Sequence, residues 1–340
     1  MRRNILFAFV LLLGLSGQVR AQEARNGTSA ATQLMIPVDA QYLGGAGAAA
    51  NASGIVSVLW NPAGLDRASG DVSAMFSRRE YIADIGMNFA AVGLRFGNVG
   101  TVGIHLRNMA FGEIERTTEF EMDGTGETFS PTFFVLGASI SRNMTDRISI
   151  GATTNLVYES IEQVGATGIA LDAGVQYRDF LGVQGLGIGV AVRNIGTSMD
   201  YEGSGLYIDA EDPSSDRGTT KVRIDAASAD MPTVVDIGVS YVPVRNLTVG
   251  ATYMENTYGP SMLRGMAAYD FLGYLTVRGA YNFAVTEPGE MGLSAFDQMP
   301  AFGATLNLLQ VLGSDVSIDY GYMPANYFSG THIFSLRGSF

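Results

Sequence analysis

The sequence predicts an all-β fold: a transmembrane antiparallel β-barrel of about 14 strands, with an N-terminal hatch or plug segment in its lumen. Three observations carry this expectation. Apolar residues recur at every second position from about residue 71 onward, which is the period of a strand and not of a helix. Short connections alternate with longer ones through the same region, as they do where strands cross a membrane back and forth. A secretory leader stands at one end of the chain and an aromatic residue, Phe340, closes the other.

The leader comes first. Met1-Arg2-Arg3-Asn4 is a short basic region, and Ile5 to Leu15 is apolar apart from Gly14. Val19-Arg20-Ala21 then offers a cleavage site before Gln22. That is the layout of a signal peptide, and its apolar run is too short to span a bilayer as a helix. Gln22 stands where a lipoprotein would need Cys, so no lipid anchor is expected. Residues 1–21 are assigned to the signal peptide, 22–70 to the hatch and 71–340 to the barrel.

Composition agrees with export to a membrane. Gly accounts for 43 of 340 residues and charged residues for only 16%, against typical shares of about 7% and about 25%. Lysine occurs once, at Lys221. A surface so poor in mixed charge is ill suited to face water all round. There is no Cys, which excludes disulfides and thiolate metal sites. A net charge of −12 argues against nucleic acid as a partner, because phosphate neutralisation needs clustered Lys and Arg.

Strands are expected near residues 71–80, 85–96, 99–108, 129–141, 147–158, 168–179 and 184–194. The remainder are expected near 232–241, 246–255, 264–271, 274–282, 300–308, 314–322 and 331–340. In 184–194, Leu186, Ile188, Val190 and Val192 alternate with Gly185, Gly187, Gly189, Ala191 and Arg193. A soluble sandwich also alternates. Here, however, the polar face is Gly, Thr, Ser and Asn rather than Lys and Glu, and Tyr and Phe gather at strand ends as interfacial girdles do. Short turns are expected at 97–98, 143–146, 180–183, 243–245, 272–273 and 309–313. Longer loops fall at 109–128, 159–167, 195–231, 256–263, 283–299 and 323–330, with a short one at 81–84. Both termini are then expected on the periplasmic side of a bacterial outer membrane. Reading back from Phe340 by twos gives Gly338, Leu336, Phe334 and His332. Phe334, Leu336 and Phe340 therefore form a candidate signal for the machinery that assembles outer-membrane barrels.

Residues 22–70 lack the strand period and are rich in small residues. A phosphate-loop reading of Gly44-Gly45-Ala46-Gly47 fails on spacing, with no Lys and Ser/Thr pair following. Leu43-Gly44-Gly45-Ala46-Gly47 and Leu59-Trp60-Asn61-Pro62-Ala63-Gly64-Leu65 together resemble the N-terminal region of the PorV/PorQ family, outer-membrane proteins related to the FadL long-chain fatty-acid transporters. The resemblance implies a fourteen-stranded barrel whose hatch motif is Asn61, Pro62, Ala63, Gly64 and Leu65. It also implies a role in type IX protein secretion, binding the C-terminal domains of exported cargo through loops 109–128 and 195–231. The implied partners are outer-membrane lipid, the assembly machinery acting on the C-terminal strand, and type IX components or cargo. The alternative is passive transport of hydrophobic small molecules, with Phe111, Phe120, Tyr42, Trp60 and Leu65 lining the way in. A third reading is a structural barrel recruited by its loops alone.

No catalytic constellation stands out. The two histidines, His105 and His332, have no Ser partner at a telling spacing, so an enzyme is not expected, and neither is a cofactor. The strand positions expected to face the lumen with polar groups are His105, Arg107, Asp172, Arg178, Arg193, Asp236, Arg278, Asp319 and Arg337. Charges buried against a plug need partners, so pairing that pins the hatch is favoured over a lined solute path. The acidic runs at 113–127 and 200–216 match no calcium loop and read as solvated surface.

Overall fold

The computed structural model describes residues 27–211, 219–285, 299–309, 315–325 and 328–340; the expected signal peptide lies outside them. The strands are β1 (Val72–Glu80), β2 (Gly86–Arg95), β3 (Thr101–Ala110), β4 (Ile114–Glu115), β5 (Thr128–Phe129), β6 (Thr132–Asn143), β7 (Ile148–Ile161), β8 (Val164–Tyr177) and β9 (Leu186–Gly196). They continue as β10 (Tyr207–Glu211), β11 (Thr219–Arg223), β12 (Val234–Val244), β13 (Leu247–Asn256), β14 (Ser261–Phe271), β15 (Leu275–Val285), β16 (Pro300–Asn307), β17 (Asp315–Met323) and β18 (Thr331–Ser339). Fourteen of them close into one barrel in the order β1-β18-β17-β16-β15-β14-β13-β12-β9-β8-β7-β6-β3-β2. The seam is the antiparallel β1–β18 pair, running from Ser73 opposite Ser339 to Glu80 opposite His332. Beyond it, Val72 and Phe340 exchange backbone hydrogen bonds of 3.0 and 2.8 Å.

The alternation in the sequence becomes an inside and an outside, and exposure decides which is which. On β3, Ile104 is 60% exposed while His105 beside it is 7% exposed. The apolar row faces away from the barrel, the reverse of a soluble sandwich, in which such residues fill the core. Phe334 and Leu336 stand on this outer face at about half exposure, and Phe340 ends it. Aromatic pairs sit towards its two margins. Phe134 meets Tyr158 at 5.0 Å and Tyr320 meets Phe334 at 5.2 Å nearer one mouth; Tyr269 meets Phe271 at 4.7 Å nearer the other. Among the described residues no helix is long and apolar enough to cross a membrane.

Two expectations need correction. The loop expected at 159–167 is instead a continuation of strands, because β7 and β8 pair as far as Ile161 opposite Val164. Glu159 and Ser160 pair with Ala166 and Gly165 in that projecting ladder despite their polarity. The long connections 109–128 and 195–231 are not wholly irregular: β4 pairs with β5, and β10 with β11, as small hairpins outside the barrel. Phe340 lies at the mouth bearing the short turns, whereas Gly27 lies at the loop mouth, donating to the Tyr258 carbonyl.

Between these ends, residues 28–68 pass through the barrel from the loop mouth to the turn mouth. Leu34, Val38, Tyr42, Ala48, Val56, Trp60 and Leu65 are all buried there. The segment holds only short helical turns, Thr32–Met35, Ala48–Asn51, Gly54–Leu59 and Pro62–Arg67. Such irregular backbone is tolerated at this depth because protein surrounds it.

Candidate functional site

The hatch motif makes the tightest contact with the wall. Asn61 is fully buried and caps the turn Pro62–Arg67, its side-chain oxygen accepting from the Ala63 N–H at 3.1 Å. Its amide nitrogen donates to the Ala49 carbonyl at 2.7 Å and reaches the Val175 and Val190 carbonyls of the wall at 3.2 and 3.3 Å. Pro62 follows at the first turn position, where its missing N–H costs nothing. Gly64 lies so close to the Ala52 carbonyl that a Cβ would overlap it. Leu65 is fully buried and packs against wall positions Gly93 and Gly103. The wall answers with glycine where plug backbone presses on it. Cβ atoms at Gly151, Gly174 and Gly189 would overlap Pro62, Asn61 and Ala49 respectively.

Midway through the barrel, charged groups join plug to wall. Asp39, fully buried, accepts from the backbone N–H of Gln41 at 2.9 Å and of Tyr42 at 2.8 Å, and from Trp60 Nε1 at 2.7 Å. The Arg193 guanidinium lies 5.4 Å from the Trp60 ring centre and pairs with Asp236 through Nε at 2.8 Å and Nη2 at 2.7 Å. The result is a chain of contacts from plug carboxylate to indole to wall ion pair. Desolvated pairs of this kind hold only when every member is satisfied.

The other wall residues expected in the lumen are placed as follows. Arg337 grips Asp319 with Nε at 2.7 Å and Nη2 at 3.0 Å; Arg278 stands 3.9 Å from the same carboxylate and donates to Thr305, which also bonds Asp319. Asp172 accepts from the Asn194 N–H at 2.6 Å and from Asn155 Nδ2 at 2.9 Å. Arg107 donates to the Leu34 carbonyl of the plug at 3.2 Å, and His105 is buried beside Phe89, 5.7 Å between ring centres. Arg178 departs from this pattern. It falls one residue past β8, in a turn, and donates to the Asp146 carbonyl of the neighbouring turn at 2.7 Å. His332 faces outward, its Nδ1 2.9 Å from the Tyr320 hydroxyl.

Several important residues were not singled out from the sequence. Arg79 is 1% exposed and donates to the Pro37 carbonyl at 2.7 Å; Asp66 takes the Asn143 N–H at 2.9 Å and the Thr101 hydroxyl at 2.6 Å. Asp39 had a local signal, because an Asp whose oxygen meets the N–H groups two and three residues on makes a recognised turn.

Toward the loop mouth the interior changes character. Met87, Met109, Phe133, Val157, Met199 and Met231 belong to one buried apolar cluster, with Tyr81, Ile85 and Phe111 packed against it. Met254, Met262 and Val234 form a second, with Met35. The five residues expected to line a way in are dispersed: Phe111 is here, Phe120 is 94% exposed on an outer loop, and Tyr42, Trp60 and Leu65 are buried in the plug. Among the described residues no three His, Asp or Glu side chains gather as a metal site would require.

The closed fourteen-stranded barrel is a fold shared with solved structures. The Pseudomonas putida toluene transporter TodX superposes with a TM-score of 0.54 over 86% of this chain and 96% of that one, at 12% identity. A Pseudomonas aeruginosa FadL homologue gives 0.52 over 89% and 98%, also at 12% identity. A TodX deltaS2S3 mutant, described as a monoaromatic hydrocarbon channel, gives 0.52 over 86% and 94% at 11%. The shared fold is thus that of the FadL-like barrels, and the likeness does not reach the PorV/PorQ group in particular. Searches of family models and of curated proteins found no match.

Proposed function

We propose that this protein spans the bacterial outer membrane and passes small hydrophobic molecules across it. The observation that carries the reading is the apolar, methionine-rich interior beneath the loops. A water-filled porin has a polar lumen, whereas unbranched thioether side chains re-pack around apolar ligands of varied shape. The FadL-like fold supports the same direction, and the plug accounts for passive passage that is gated rather than open. The test is uptake of toluene and of a long-chain fatty acid by cells lacking their own hydrophobic channels. Cells making this chain should take up at least one of them several-fold faster than cells making an unrelated closed barrel. Equal uptake of both refutes the reading.

A second reading rests on the loops. The β10–β11 hairpin and its flank expose Ile208, Val222 and Ile224, and the 109–128 loop exposes Phe120 and Met122 beside Glu119, Glu121 and Asp123. Exposed apolar groups on loops suit a protein partner, and exported cargo of type IX secretion is the partner the N-terminal resemblance implies. Replacing the β10–β11 hairpin by a short turn should then abolish export of cargo sharing one C-terminal domain while leaving hydrophobic uptake intact. Unchanged export removes this reading.

A further inference from the structure

Short turns close the barrel at one mouth, and an arc of them carries a pattern that solute passage does not explain. Consecutive around the ring are the β6–β7, β8–β9, β12–β13 and β14–β15 hairpins. Met144, Leu181, Val244 and Leu272 stand in or beside their turns, 55%, 77%, 59% and 76% exposed. Two of the four are held in a backbone conformation that penalises a side chain. Leu181 has a φ of 54° and Leu272 a φ of 58°, and the residue after each is a glycine that also has positive φ. Glycine is the default in such a conformation, and a bulky residue there is an outlier that points to function. In water, backbone strain and an exposed leucine would both be unfavourable; an apolar surround offsets them.

The same turns gather cations. Residues 142–147, 178–183 and 243–245 hold Arg142, Arg147, Arg178 and Arg245 against Asp146 and Asp179, in a chain of net charge −12. Arg178 donates to the Asp146 carbonyl, and Asp179 accepts from the Gly185 N–H. Arg142, Arg147 and Arg245 are exposed, and among the described residues none of the three forms an ion pair.

We propose that these hairpins form a docking surface for anionic phospholipid. The turn tips enter the acyl boundary of the leaflet, and Arg142, Arg147 and Arg245 hold headgroup phosphates. Attachment at a bilayer interface grows with the apolar area immersed and with attraction to anionic lipid, and a guanidinium matches phosphate geometry. Lipid is the occupant because the tips continue the outer apolar face. Leu181 follows the Tyr177–Phe180 ring pair, and Leu272 follows the Tyr269–Phe271 pair. The arc also tracks the perimeter of eight neighbouring strands, where a bilayer surrounds the barrel. The inference rests only on the barrel lying in a membrane, and stands whether or not it carries hydrophobic solutes.

Two measurements on the full chain test it. The sequence has no Cys, so Leu181→Cys accepts a single fluorophore. In nanodiscs of mixed phosphatidylcholine and phosphatidylglycerol, a lipid-borne quencher should reduce its emission several-fold more than aqueous iodide does. The same label at Phe120→Cys, on an outer loop, should show the reverse. Native mass spectrometry of the chain in detergent with each lipid then reads selectivity. Phosphatidylglycerol should be retained several-fold over phosphatidylcholine. Arg142→Gln, Arg147→Gln and Arg245→Gln combined should remove that preference, and Arg223→Gln, on β11, should keep it. All three turn arginines are exposed, so their loss leaves the fold intact. Stronger quenching by iodide at 181, equal retention of the two lipids, or an unchanged preference in the triple variant overturns the proposal.

Discussion

Replacing Asn61 by alanine removes the knot that ties the hatch motif to the wall. The cap on the Ala63 N–H is lost, as are the donated bonds to Ala49 and to the Val175 and Val190 carbonyls. A lost cap costs about 1 kcal/mol. Each donated bond contributes about 1 kcal/mol net, although Val175 and Val190 lie opposite each other across β8 and β9 and keep their ladder bonds. The sum is about 2 to 4 kcal/mol, acting on plug docking rather than on strand pairing. At ~1.4 kcal/mol per decade this raises the opening constant of the plug about 30- to 700-fold. Hydrogen exchange by mass spectrometry reads it directly. Amides of residues 48–67 should exchange faster by that factor, while those of β7 and β8 stay unchanged. Equal acceleration of plug and wall, or none in the plug, would refute the assignment of Asn61 as the latch.

Three further outcomes follow from the same geometry. Gly189→Val puts a side chain where the Ala49 carbonyl lies, so it should displace the plug and raise single-channel conductance in planar bilayers. Gly265→Ala, whose Cβ meets nothing within 4 Å, should leave conductance alone. Arg193→Met leaves Asp236 buried and unpaired and should destabilise the chain by roughly 3–5 kcal/mol, with Asp236→Leu in the same chain restoring much of the loss in a denaturant titration. Asp39→Asn keeps an acceptor for the Tyr42 and Trp60 N–H groups whereas Asp39→Leu removes it, so the emission of the single tryptophan, Trp60, should shift in the Leu variant and stay close to the unaltered chain in the Asn variant.

Much of the barrel was legible because a strand with an apolar outer face and an inner face turned to a plug repeats every two residues, and that period needs no knowledge of partners. His105, Arg107, Asp172, Arg193 and Asp236 could be set on the inner face by parity alone. Parity also placed Arg178 there, and failed, because it does not say where a strand stops. The continuation of β7 through Glu159 and Ser160 was hidden for the opposite reason: polar residues in a projecting hairpin look like a loop. The least legible feature was the fit of Gly151, Gly174 and Gly189 to plug residues more than eighty positions away in sequence. Glycine in a strand signals close backbone approach, but a single sequence does not say what approaches.

The course of the plug from one mouth to the other bears on how the molecule is made. A segment that traverses a closed ring and continues directly into β1 is most simply enclosed when the ring closes around it. The closing pair is β1 with β18, the first and last barrel strands, so the final zipper contains the strand that the plug itself leads into. The plug then serves as a mandrel on which the sheet is rolled. Barrel circumference, seam register and plug docking would be settled in one event, and a chain with an ill-fitting core would be stopped before its edge strands meet.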